Sequence, residues 1–106
     1  MLKLAVYVPE SHLDKVKIAL FEAGAGRMAQ YDCCSWQVRG DGQFRPLDGA
    51  HPAIGIVGEV VRTPEWKLEM ICPEECAEEV VRALCEAHPY ETPAFDFTQL
   101  WHLPEK

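Results

Sequence analysis

From Leu2 to Val8 the chain alternates. Leu2, Leu4, Val6 and Val8 fall on one side and Lys3, Ala5 and Tyr7 on the other, the period of a strand with one buried face. Pro9 ends the strand, and Glu10 and Ser11 open a helix in which Ser11 and Asp14 have the spacing of a capping box with a short acid. Leu13, Val16, Leu20 and Ala23 then recur at helical intervals, with Ile18 and Phe21 widening the apolar face. Gly24 is placed to cap the helix C-terminus. Gly24-Ala25-Gly26 reads as a helix-ending turn, because a phosphate loop follows a strand and opens a helix.

The same pattern returns from Trp66. Trp66, Leu68, Met70 and Cys72 alternate with Lys67, Glu69 and Ile71, Pro73 stops the strand, and Glu74 and Glu75 open a second helix with favourable charge for its dipole. Its apolar stripe is Ala77, Val80, Val81 and Leu84. At a constant offset of 64, 8 of the 27 positions from Val6 to Asp32 are identical, and the register carries Tyr31-Asp32 onto Phe95-Asp96. An ungapped match of that length points to a duplicated unit. Two βαβ copies whose helices each have one apolar face predict an α+β, ferredoxin-like βαββαβ sandwich, with both helices on one face of an antiparallel sheet. The expected strands are Leu2–Val8, Met28–Val38, one including Trp66–Cys72, and Ala94–Trp101. The predicted organisation is one domain over residues 1–106 with an insertion at about 39–58.

The bare face of such a sheet, with Trp36, Trp66 and Trp101 in three of its strands, points to a homo-oligomer; the alternative is that each indole packs at a sheet edge within one subunit. Within the insertion, Gly40-Asp41-Gly42 predicts a tight turn and hence an inserted hairpin between strands 2 and 3. Asp48-Gly49 predicts another turn and Glu59–Arg62 a further short extended run. Long connections of this kind in small domains carry function or assembly.

Charge narrows the partners. The formal net charge is −7, which excludes general electrostatic binding of nucleic acid or anionic membranes. No apolar run approaches a membrane span and the N-terminus lacks a signal-peptide pattern, so a cytoplasmic location is expected. The five cysteines form no C-x-x-C pair and read mostly as small core residues. Cys33 and Cys34 are expected in a strand, pointing to opposite faces, one in the core and one exposed or at an interface.

The most chemically suggestive segment is His88-Pro89-Tyr90-Glu91, between the second helix and the last strand. Its imidazole, phenol and carboxylate suit a small molecule or a metal, with His51 of the insertion as a further binding residue. His88, Glu91 and Cys34 are the metal-ligand candidates, although no cofactor is required. An equally good reading is structural, with His88 satisfying carbonyls at the helix end. No G-x-S-x-G motif or nucleophile–base pair is visible.

YDCCSW from Tyr31, GDGQFRPLDGAHPAIG from Gly40 and HPYETPAFD from His88 together resemble the YqfO-type domain, over nearly the whole chain. That domain occurs alone and as an insertion in the Nif-three-like dinuclear-metal proteins, and the HPYE segment also resembles its counterpart in CutA proteins. The resemblance implies a PII-like or CutA-like fold and a trimer. It also implies that the dinuclear-metal ligands belong to flanking lobes and not to His51 or its loop. The expected function is that of a non-enzymatic, oligomeric module binding a small molecule, a metal or a protein partner. Two alternatives are a CutA-like divalent-metal binder using the HPYE segment at a subunit interface, and an enzyme whose site forms only in the oligomer.

Overall fold

A computed structural model describes residues 1–101; residues 102–106, the end of the span expected to form the domain, lie outside the described residues. The order is β1 (Leu2–Pro9), α1 (Leu13–Glu22), β2 (Trp36–Phe44), β3 (Val61–Cys72), α2 (Ala77–Ala87) and β4 (Phe95–Gln99). The sheet is antiparallel with strand order β2-β3-β1-β4. Both helices pack side by side on one face, which is the ferredoxin-like arrangement. Leu4, Val6 and Val8 of β1 and Leu68, Met70 and Cys72 of β3 meet Val16 and Leu20 of α1 and Val80 and Leu84 of α2 in one core.

The duplication is visible in detail. Each helix is preceded by a single 3-10 turn, Glu10–His12 and Glu74–Cys76, set off by an extended proline, Pro9 or Pro73. The capping box does not form, since Ser11 Oγ pairs with His12 Nδ1 and no side chain caps α1. The C-terminal expectation for α1 is met: Ala25 N–H donates to Leu20 O and Gly24 N–H to Phe21 O, both at 3.1 Å, a Schellman motif. Gly24 has φ +113°, and a Cβ there would lie 2.8 Å from Cys76 Sγ, so both the backbone and the packing select glycine.

The internal register breaks after α1. The second strand does not begin at Met28 but at Trp36, and Tyr31-Asp32 lies in a loop, so it is not the counterpart of Phe95-Asp96 in β4. The cause is local: Met28 and Tyr31 exchange backbone hydrogen bonds around a tight turn, and Ala29 and Cys33 have positive φ. Cys33 and Cys34 are therefore loop residues, one exposed and one half-buried, and neither enters the core. Gly40-Asp41-Gly42 is not a turn, because these residues pair with Glu65, Pro64 and Thr63 in a continuous strand. The expected run Glu59–Arg62 is partly the start of β3. The inserted hairpin is thus the outward continuation of β2 and β3 beyond Pro9↔Glu65, where β1 stops pairing.

The helix-free face differs from the expected row of tryptophans. Register places Trp36 and Val38 on it, opposite Glu69 and Lys67. Trp66, paired with Val8, packs against the core on the helix side, and Trp101 lies past the end of β4, which stops at Gln99. The centre of this face is polar, with Lys3 and Lys67 bridging Glu69 at 3.0 and 3.7 Å. Lys3 above all holds the Glu69 carboxyl below its ordinary value.

Candidate functional site

Between α2 and β4 the chain runs His88-Pro89-Tyr90-Glu91-Thr92-Pro93, and two prolines keep it from extending the ladder. Tyr7 N–H still donates to Ala94 O at 3.1 Å, but the Tyr7 carbonyl bonds the His88 ring at Nε2, 2.7 Å away. The imidazole thus satisfies a strand carbonyl where β4 has peeled off. Its Nδ1 accepts the Tyr90 N–H at 3.1 Å, which assigns the ring proton to Nε2. His88 is buried, and burial pushes its pKa down.

Fixing Tyr90 N–H on His88 orients the next two side chains. The Tyr90 ring meets His88 edge-on at 4.9 Å and Phe44 of β2 at 5.7 Å. Its hydroxyl donates to Glu65 Oε2 of β3 at 2.8 Å. Burial first, and then this bond to a carboxylate, raise the phenol's pKa far above its ordinary value, so Tyr90 is a neutral donor. Glu91 Oε1 accepts the His51 N–H at 2.9 Å, tying the tip of the β2–β3 connection to the HPYE segment.

These ties border a half-open cavity of about 260 Å³. Its wall combines Phe44 and Ile54 of the hairpin and its loop with Tyr7 of β1, Glu65 of β3, and Tyr90 and Glu91. The HPYE segment and the insertion meet within a single subunit. Of the residues singled out in the sequence, Tyr90 and Glu91 line the cavity, His51 contributes its backbone amide and His88 supports it from beneath. Cys34 lies elsewhere, lining a groove with Trp36 and Lys3 that shares no residue with this cavity. Both ring nitrogens of His88 are engaged. Among the described residues no group of three or more His, Cys, Asp and Glu side chains is placed to hold a metal ion. Tyr7, Phe44, Ile54 and Glu65 were not legible as site residues. Tyr7 alone carried a signal, as an aromatic ring on the polar side of β1.

The chain is 49% identical over 98 residues to the GTP cyclohydrolase 1 type 2 homolog of Mycobacterium tuberculosis, a match covering 92% of the chain and 26% of that protein. It superposes on a Bacillus cereus protein related to NIF3 with a TM-score of 0.81 and 35% identity, over 93% of this chain and 25% of that one. The chain is thus similar to one segment, the YqfO-type domain, of Nif-three-like proteins. It spans about a quarter of the length of the curated relatives it matches. No protein-family model matches the chain. The PII-like protein CutA of Nostoc shares its fold, with a TM-score of 0.67 at 20% identity over 94% of this chain and 81% of that one. Among the described residues no helix is long and apolar enough to cross a membrane.

Proposed function

We propose that this YqfO-type domain is a non-enzymatic ligand-binding module whose site is the cavity between the inserted hairpin and the HPYE segment. The observation that carries this reading is the convergence of the two segments: forty residues apart, they are tied by the Glu91–His51 bond beside a half-open, mainly apolar cavity with few polar groups. The polar groups best suited to acid–base chemistry are already committed, His88 to two backbone partners and the Tyr90 hydroxyl to Glu65. A nucleoside triphosphate suits this cavity poorly, because the charged side chains in its wall are the carboxylates of Glu65 and Glu91.

The reading includes a homo-oligomer, a trimer, assembled through the helix-free sheet face. Trp36 at 61% exposure and Val38 at 43% support that surface, as does the shared fold with CutA.

The test is a thermal-shift screen of small aromatic and aliphatic fragments against the wild type and Ala94→Trp. Ala94 lines the cavity and makes its strand contact through the backbone, so the indole fills the space without removing that bond. Fragments that raise the wild-type melting temperature are expected to lose their effect in the variant. Fragments that stabilise both proteins equally would place binding elsewhere and contradict the reading.

A further inference from the structure

The chemistry of the cavity wall narrows what it binds. Three aromatic rings, Tyr7, Phe44 and Tyr90, and the side chain of Ile54 supply its apolar surface. Two carboxylates supply the charge, and no Lys, Arg or His side chain lines the space to neutralise them. Glu65 uses one oxygen to accept the Tyr90 hydroxyl, and Glu91 uses one to accept the His51 amide. Each carboxylate oxygen has two lone pairs, so both groups retain acceptor capacity. The Tyr90 hydroxyl and the His51 amide are spent on these contacts, which leaves uncharged side-chain donors in the wall, among them the Gln43 amide and the Thr92 hydroxyl.

An anionic ligand would face two carboxylates with no positive charge in the wall to offset them. A bare metal ion would find only two carboxylates, and among the described residues no third His, Cys, Asp or Glu completes a set. An organic ammonium meets both demands: its N–H or N–CH groups face carboxylate oxygens and aromatic faces, while its carbon body covers the apolar wall. The negative net charge of the whole chain, −7, favours its approach.

We infer that the cavity bordered by the HPYE segment and the inserted loop is a site for a small organic cation, an amine or quaternary ammonium on an apolar body, held by Glu65 and Glu91 and by the rings of Tyr7, Phe44 and Tyr90. This rests on the cavity being the binding site proposed above. Glu65 is the half-buried anchor, oriented by the Tyr90 hydroxyl, and Glu91 is the exposed rim carboxylate, oriented by the His51 amide. The size of the space, about 260 Å³, limits the ligand to a compact molecule.

Three probes with the same phenyl body separate the possibilities: phenethylamine, 2-phenylethanol and phenylacetate, titrated calorimetrically near neutral pH. Phenethylamine is expected to bind saturably, about tenfold more tightly than 2-phenylethanol, with phenylacetate weakest. Glu91→Gln, whose amide oxygen can still accept the His51 N–H, is expected to reduce the preference for the amine about threefold. A Glu65→Gln/Glu91→Gln double variant abolishes it. Equal binding of the amine and the alcohol, or a preference that survives in the double variant, would overturn the cation assignment while leaving the cavity as a binding site. Binding of none of the three probes would overturn both.

Discussion

His88 makes the organisation of the site testable by pH. It is 5% exposed, donates from Nε2 to Tyr7 O at 2.7 Å and accepts the Tyr90 amide on Nδ1 at 3.1 Å. A second proton has to go on Nδ1, where it faces another donor. Burial is the chief cause that lowers the pKa, and His12 adds to it; the Tyr7 carbonyl and the Glu65 charge oppose it without reversing the sign. An unfolded histidine titrates near pH 6.5. Between that value and the lower folded one, the unfolded chain binds the extra proton. Stability is therefore full above about pH 6.5 and falls on acidification, by up to about 1.4 kcal/mol per pH unit, until the folded value is reached. The Glu69 contribution is distinguishable: its folded pKa is depressed, so it is present above the ordinary carboxylate value of 4.5 and lost as pH falls through the lower folded value. Urea unfolding between about pH 7.5 and 5.5 reads the slope, and His88→Gln provides the control. The variant is expected to lose about 1–3 kcal/mol at neutral pH, because one of two buried backbone groups is left poorly matched, and to flatten the slope. A flat wild-type profile, or an equal slope in His88→Gln, would refute this assignment of burial and partners.

Further outcomes follow from burial and bonding. Leu84→Ala removes a fully buried side chain shared by α2 and the sheet and is expected to cost about 2–5 kcal/mol in calorimetric or denaturant unfolding. In a spectrophotometric titration, one of the three tyrosines is expected to resist ionisation until the protein unfolds, and Tyr90→Phe removes that component. The same variant frees Glu65 from its phenol and costs about 1–2 kcal/mol. Light scattering is expected to give a mass near three times 12.0 kDa, with Trp36→Glu shifting it towards the monomer; a concentration-independent wild-type mass of 12.0 kDa would contradict the trimer.

Local periodicity carried most of the fold. The alternation in Leu2–Val8 and Trp66–Cys72, the two helical stripes and the prolines at 9 and 73 each describe a self-contained segment, and each formed where its pattern indicated. The segment from Met28 to Phe44 did not, because long-range pairing decides it. Gly40 and Gly42 have the composition of a turn, yet they sit in a strand whose partner is Glu65 to Thr63. Gly42 in particular leaves room for the Glu65 side chain, which occupies the space that a Cβ would take. That glycine signals a close approach to a carboxylate, which cannot be told from a turn without knowing the partner strand. Similarly, the eight-residue displacement of β2 depends on positive φ at Ala29 and Cys33, residue types that do not announce it.

The site shows the same division. HPYE stood out because its residue types are chemically capable; Tyr90 and Glu91 line the cavity, whereas His88, a binding and metal-ligand candidate with a structural role as the alternative, is held by two backbone partners. The pairing of Glu91 with the His51 amide was not readable, because it is a contact to a backbone group across forty residues, and neither was the gathering of Tyr7, Phe44, Ile54 and Glu65 from β1, β2, the connection and β3.

The most direct test of the binding cavity is a ¹⁵N chemical-shift titration with phenethylamine. The account predicts saturable shifts concentrated at the backbone amides of Phe44, Ala50, Ile54, Glu65, Tyr90 and Glu91, which surround the cavity. No saturable shifts, or shifts centred on Trp36 and Val38 of the open sheet face, would contradict it.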